Sequence, residues 1–395
     1  MTTQSGSAPA ADRRLILLLA GMAGLGEFAA TAWLPALPAV ANDLGVGLGT
    51  VQATVTVGLV AFALANPILG PLSDRIGRRR VLVPGFAAYL VGCVIAMAAP
   101  SAIWLIPARI LQAVGACAGL VVGRAIARDR HDGAALTRIM ALITLVFSVA
   151  PVAAPLIGGL LTDGVGWRAI FLVAFVYAAL LLPLLRRLPE TRPSGTAATP
   201  ITALPRSYAG MLREPGVGTA LAGSAPLVAA LFVFLVGAPA IFVQGLGLGA
   251  SVVGTFPLLT MGGFVIGTVL AARLADRMRP RSLMRVGAGI AVAGTLVMLT
   301  LPVAPLPTLA AMAIFDLGLG LVLPVVGSTV MTAFSSRAGL ASGLIGLVQI
   351  TGGALGAGLV PAVGGPAELA VPALMSGLAG AACLCFLARD AGGSR

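Results

Sequence analysis

The sequence predicts an all-α membrane protein: twelve transmembrane helices in two six-helix halves, related by a pseudo-two-fold axis along the membrane normal. Three observations predict it. The chain breaks into long apolar runs, with 58% hydrophobic and 10% charged residues over 395 positions, where soluble domains average about 25% charged. All 25 basic residues are arginines, and nearly all fall in every second gap between the runs, the bias that marks cytoplasmic gaps. Finally, Leu72-Ser73-Asp74-Arg75 after the second run returns as Leu274-Ala275-Asp276-Arg277 after the eighth. That echo, half a chain apart, marks an internal repeat of the kind that builds paired helical bundles.

A spanning helix needs about 20 mostly apolar residues, and the runs qualify in order. Helix 1, at about 15–36, follows Arg13 and Arg14. Its charged start resembles a signal peptide, but the run is too long and lacks a small-residue cleavage site, so it is retained. Helices 2 and 3, at about 50–70 and 81–99, enclose an arginine-dense segment. Helix 4, at 103–126, carries Arg109 within it and Arg124 at its inner end. Helix 5, at 137–161, is punctuated by Pro151, Pro155, Gly158 and Gly159, and helix 6 covers 167–185. Helices 7 to 12 follow at 217–241, 250–272, 283–302, 307–332, 340–362 and 367–387. The expected organisation is a cytoplasmic tail (1–14), a bundle (15–185), a polar central loop (186–216), a second bundle (217–387) and a cytoplasmic tail (388–395).

With the N-terminus inside, 23 arginines fall on inner segments and only Arg168 outside, leaving Arg109 uncounted. An even helix number then puts both termini in the cytoplasm. Trp33, Trp104 and Trp167 fall at outer helix ends, where amphipathic rings settle. The net charge of +12 therefore needs no nucleic acid; the arginines hold topology against an anionic leaflet. The 52 glycines and 27 prolines let membrane helices approach closely and bend.

The chain has no lysine. That excludes a Walker-type phosphate loop and a Schiff-base lysine, so any pumping draws on an ion gradient or a partner subunit. Cys93, Cys117, Cys383 and Cys385 lie in apolar runs, which argues against a disulfide framework. His131, beside Asp129 and Asp132, reads as part of a solvated loop and not as a metal site. No cofactor, no metal and no enzymatic nucleophile cluster is expected.

Glu27 is twelve residues beyond Leu15, about 18 Å along a helix and near the bilayer midplane. An ionised carboxylate there is costly unless a cation pairs with it. A carboxyl that changes charge with exposure suits a proton carrier and would attract a cationic guest; the alternative is a neutral Glu hydrogen-bonded to a neighbouring helix. Arg109 cannot lose its proton and must find a carboxylate, carbonyls or water, and Gln112 shares its face. Its alternative is snorkelling to the outer interface. Asp316, in helix 10, suggests a second titrating site, a partner for Arg109 or a cap on a broken turn. Arg109 with Glu27 or Asp316 is the expected charge network. Thr31, Gln112 and Gln349 join Glu27 as candidate cavity residues.

Several segments carry a family resemblance. Gly70-Pro71-Leu72-Ser73-Asp74-Arg75-Ile76-Gly77-Arg78-Arg79-Arg80, after helix 2, resembles the signature loop of the major facilitator superfamily. Arg109-Ile110-Leu111-Gln112-Ala113-Val114-Gly115-Ala116 resembles its second motif, and Ala150-Pro151-Val152-Ala153-Ala154-Pro155-Leu156-Ile157-Gly158-Gly159 its antiporter motif. Trp33-Leu34-Pro35-Ala36-Leu37-Pro38, Trp167-Arg168-Ala169-Ile170-Phe171 and Leu188-Pro189-Glu190-Thr191 resemble the Bcr/CflA branch of drug:proton antiporters. That branch usually carries an Asp just before the Leu-Pro-Ala-Leu-Pro stretch. Here Thr31 stands at that place, and the nearest acid is Glu27.

The resemblance implies a multi-pass bacterial inner-membrane protein, working as a monomer, that exports small amphipathic drugs against proton entry. Its partners would be the drug, protons and membrane lipid. It implies proton coupling at Arg109, with Glu27 and Asp316 as candidate acids. It also implies an inner gate at Gly70, Asp74, Arg75, Gly77 and Arg78, echoed by Asp276 and Arg277, though topology alone would also account for these charges. Pro151, Pro155, Gly158 and Gly159 would prevent leakage between the proton and drug paths. The alternative on the same fold is a proton-coupled exporter or symporter of an endogenous metabolite.

Overall fold

The computed structural model describes residues 9–131, 133–188, 190–191, 203–214, 216–334 and 338–388. In the first half, α1 (Pro9–Thr31) continues through a 3-10 turn (Leu34–Ala36) into α2 (Leu37–Asp43). There follow α3 (Leu48–Ile76), α4 (Arg78–Met97), α5 (Leu105–Arg130), α6 (Gly133–Val165) and α7 (Arg168–Arg187). A short helix, α8 (Leu204–Leu212), lies in the central segment. The second half holds α9 (Val217–Pro239), α10 (Ala250–Gly254), α11 (Phe256–Leu274), α12 (Pro280–Thr300), α13 (Pro305–Ala333), α14 (Ala338–Ala362) and α15 (Ala367–Leu387). Among the described residues, eleven helical spans are long and apolar enough to cross a membrane, and α6 adds the shorter apolar stretch Val149–Val165. The chain is a multi-pass membrane protein.

The repeat read from the echo is visible in the packing. In the first half α4 packs on α5 and α7, α3 on α5, and α1 on α6; in the second, α12 packs on α13 and α15, α11 on α13, and α9 on α14. Each pairing recurs at the equivalent position, as a two-fold relation requires. The contacts between halves obey the same relation: α3 meets α14, and α6 meets α10 and α11. Small residues set the approach. A Cβ on Gly115 of α5 would strike the Gly85 carbonyl of α4, and one on Gly318 of α13 would strike the Gly287 carbonyl of α12. Without a hydrophobic drive between helices in lipid, such close backbone contact supplies the attraction. Large apolar side chains point outward instead, with Leu180 68% and Leu384 69% exposed, as a hydrocarbon solvent allows.

The structure corrects several expectations. Helix 1 does not stop near residue 36 but runs on to Asp43, because Pro35 and Pro38 fall at the starts of new helical turns, where proline needs no amide partner. The arginine-dense segment after helix 2 is no loop. Gly70, Asp74 and Arg75 lie in α3 and Arg78 opens α4, so Gly77 alone turns the chain, at φ 110°. Trp104 is exposed as expected, but Trp33 and Trp167 are buried. They pack with Phe171, at centroid distances of 6.2 and 5.9 Å. Arg168, the lone arginine of the far, arginine-poor end, pairs with Asp43 at 2.5 Å and lies over the Trp167 ring. Arg192, Arg337 and the terminal arginines Arg389 and Arg395 lie outside the described residues.

Candidate functional site

Where the halves meet, a cavity of about 290 Å³ opens between α1 and α6 on one side and α9, α11 and α13 on the other. Thr31, Leu34, Pro35, Pro151 and Pro155 line it from the first half, and Phe234, Phe256, Thr260, Phe264, Met312 and Asp316 are among its second-half walls. Among the described residues that line it, Asp316 is the one ionisable side chain. It is buried, and its carboxylate is hydrogen-bonded by the Thr260 side chain of α11. Of the four candidate cavity residues, only Thr31 lines this space; Glu27, Gln112 and Gln349 are not part of its wall.

Arg109 pairs with neither Glu27 nor Asp316, contrary to expectation. Its Nη1 donates to the Ala29 carbonyl and to Gln112 Oε1, both at 2.9 Å, and its guanidinium lies 4.5 Å from the centre of the Trp33 ring. Gln112 Nε2 in turn donates to Cys93 Sγ at 3.3 Å. A carbonyl, an amide and a ring face partner this cation, which is only 5% exposed, while its Nε has no hydrogen-bond partner among the described residues. The network ties α5 to α1 and α4. Gly58 of α3 packs against the Arg109 side chain with ordinary clearance, a Cβ there lying 3.6 Å from Arg109 Nε.

Glu27 is half-buried on α1, one turn before Thr31, whose hydroxyl donates to the Glu27 carbonyl at 2.9 Å. The charge acting on it is Arg124 of α5. Sequence reasoning read Arg124 only as a topology residue. Arg109 and Arg124 are fifteen positions apart, close to four helical turns, so both face the same side of α5. That spacing was the available signal.

The far end is sealed across the halves. Gln52 Nε2 of α3 donates to the Val236 carbonyl at 2.9 Å. The Asp163 carboxylate of α6 accepts from the amides of Ala250 (3.2 Å) and Ser251 (2.8 Å). Two glycines of the expected antiporter segment make the fit: a Cβ on Gly158 would strike the Ala32 backbone, and one on Gly159 the Ala250 carbonyl across the seam. Pro151 and Pro155 face the cavity just beneath. Substituting Asp163→Ala should weaken the seal by about 1 kcal/mol, the scale of a lost helix-terminal cap. A cysteine placed at Thr31 should then react several-fold faster with an impermeant thiol reagent added from the far side; an unchanged rate would mean that Asp163 contributes nothing to closure.

At the arginine-rich end Arg78, 4% exposed, is a hub. It pairs with Asp74, and its Nε donates to Asp129 Oδ2 at 2.9 Å and its Nη1 to Ser73 Oγ at 2.6 Å. Glu190 accepts from the Arg78 and Arg79 amides at 2.8 and 3.3 Å. It also lies where a Cβ on Gly77 would go. Asp129 and Glu190 were not anticipated as members. Gly70 packs toward Val121 with ordinary clearance, and Arg75 is exposed at the end of α3. Asp276 and Arg277 are exposed, and among the described residues neither forms a comparable hub. Replacing Arg78 with alanine would strand the nearly buried Asp129 carboxylate, a change that costs about 3–5 kcal/mol. A thermal unfolding midpoint in detergent lowered by several degrees is the expected result; an unaltered midpoint would remove the hub from the stability account.

Comparison with known proteins places these features. The profile described as Major Facilitator Superfamily matches residues 16–357. Multidrug resistance protein D of Escherichia coli (strain K12) is 34% identical over 203 residues, 51% of this chain and 51% of that protein. The uncharacterized MFS-type transporter YdgK of Bacillus subtilis (strain 168) is 31% identical over 80% of this chain and 81% of its own. The chloramphenicol resistance protein of Pseudomonas aeruginosa is 32% identical over 72% and 67%. Among solved structures, a bacterial homologue of the human lysosomal transporter Spinster, inward-facing and occupied, superposes with a TM-score of 0.73 at 18% identity, covering 97% of this chain and 95% of that one.

Proposed function

The chain belongs to the Major Facilitator Superfamily, and from that premise we propose that it is a proton-coupled antiporter exporting small amphipathic drugs across the bacterial inner membrane. Both termini and the arginine-rich end face the cytoplasm, and the chain works as a monomer among membrane lipids. The observation that carries the reading is the cavity at the junction of the halves, sealed at one end and lined by the Asp316 carboxyl. Rocking the halves about that cavity exposes it to each side in turn. In this reading the sealed far end is the outer one and the cavity is at its cytoplasm-facing stage.

Glu27 and Asp316 are the groups that take and release the proton, and Arg109 and Arg124 set the charge balance around them. The hub at Arg78 holds the cytoplasmic end of the first bundle together while its counterpart moves. The relatives named for multidrug and chloramphenicol resistance support drug export over uptake. The driving force suffices: about 100 mV is worth ~2.3 kcal/mol per charge and a pH unit adds ~1.4 kcal/mol. One proton then sustains a gradient on the order of 500-fold for a neutral drug.

A susceptibility panel in an efflux-deficient host tests the reading. Expression should raise the inhibitory concentration of at least one small amphipathic antibiotic or dye, and the same compound should trigger proton release from energised everted vesicles. No shift for any compound across a broad panel would refute drug export.

A further inference from the structure

We propose that a cleft at the arginine-rich end of the first half, between the α3–α4 turn and the end of α7, binds the headgroup of an anionic phospholipid. The proposal goes beyond the export reading and is tested without transport. The cleft has a volume of about 740 Å³ and lies where Gly77 turns the chain and where α7 runs out. Arg79 and Arg80 of α4 and Arg186 of α7 border it, and all three are exposed. Ile76, Val83 and Pro84 form its apolar part. Three guanidiniums thus stand beside an apolar wall at one end of a membrane bundle.

Local charge decides the headgroup. Glu190 is the one carboxylate among the described lining residues. It accepts from the Arg78 and Arg79 amides, where an acid offsets the positive end of a helix. Three arginines against one glutamate leave a local charge of +2. Among the described residues no ion pair holds the side chains of Arg79, Arg80 or Arg186. Their neighbour Arg78 shows the contrast, since it is buried and paired with Asp74 and Asp129. Guanidinium forks match phosphate oxygens, and basic clefts between spanning helices suit acidic headgroups. An apolar path continues from the cleft. Pro84 and Val91 are two turns apart on one face of α4, and Val91 is exposed, as are Leu184 and Leu180 before Arg186 on α7. Acyl chains can lie along that surface, whereas a free phosphate ion would gain nothing from it.

Native mass spectrometry of the purified full-length chain in detergent tests this, with phosphatidylglycerol and phosphatidylethanolamine of identical acyl chains titrated separately. The first binding step should be at least about ten-fold tighter for phosphatidylglycerol. Arg80→Gln combined with Arg186→Gln should bring the two lipids within about two-fold of each other. Arg273→Gln combined with Arg279→Gln removes the same charge from exposed positions of the second half and should leave the preference intact. Equal affinities in the unmodified chain overturn the proposal, whether or not any variant folds. So does a preference that survives the first pair of substitutions, or one lost equally in both pairs, which marks diffuse attraction to basic surface. Displacement of bound phosphatidylglycerol by an equimolar amount of inorganic phosphate would mark a free-anion site and overturn it too.

Discussion

Replacing Arg109 with alanine will abolish proton-coupled export while the protein still reaches the membrane. The guanidinium donates two charge-assisted hydrogen bonds, to Ala29 on α1 and to Gln112 on its own helix, and caps the buried Trp33 ring. Each such bond contributes about 1.5–3 kcal/mol, and a stranded buried acceptor costs about 1–3 kcal/mol more. The loss therefore falls on the α1–α5 contact, the same pair of helices that carries Glu27 and Arg124. With that contact loosened, the spacing of Glu27 and Arg124 is no longer held, and proton release triggered by drug should fall at least about ten-fold. Arg109→Lys keeps the charge but not the planar fork or the stacking, so it should recover only part of the rate. Measured on vesicles with matched protein content, normal coupled transport in the alanine variant would remove Arg109 from the mechanism.

A second large effect is expected from Gly159→Val. No side chain fits between Gly159 of α6 and the Ala250–Ser251 backbone of the other half. The added isopropyl group must push the seam apart, and overpacking of that kind costs about 1–3 kcal/mol or more. The contact joins the two halves at the closed far end, so if rocking separates the halves there, the penalty falls on the closed state. A shift of about 3 kcal/mol moves the population on the order of a hundred-fold, enough to hold the far end open and stop turnover. The far-side labelling rate at a Thr31→Cys position should rise sharply, and drug export should fall with it. Unaltered labelling with full export would show that the seam tolerates a side chain and is not the closing surface.

The apolar spans were legible in the sequence because hydropathy reports the solvent: eleven are long enough among the described residues, and α6 adds a shorter apolar stretch. The echo at Asp74 and Asp276 foretold a two-fold relation, and the packing carries it. What the sequence did not carry is the rotation of each helix. A span that meets lipid on one face and apolar neighbours on the other has nearly the same chemistry all round, so no stripe says which residues look inward. That is why Trp33 was read as an interfacial ring and lies buried, and why Glu27, Gln112 and Gln349 were assigned with Thr31 to a cavity that, of these four, only Thr31 lines. Charges stood out as anomalies in apolar runs, but their partners did not. Arg78 meets Asp129, 51 positions away, and takes Glu190 against its amide, 112 positions away. The glycine seam was legible as composition and gained meaning only from the backbone opposite each Gly158 and Gly159 hydrogen.

The central claim is that a proton gradient drives cargo through the junction of the two halves. Sealed liposomes containing the purified protein, with a pH step imposed across the bilayer and a drug to which expression confers resistance as cargo, test it most directly. The drug should accumulate on the acidic side, collapse to equilibrium when nigericin dissipates the pH step, and fail to accumulate in liposomes bearing Arg109→Ala. Accumulation equal to that of protein-free liposomes, or accumulation indifferent to nigericin, would contradict the account.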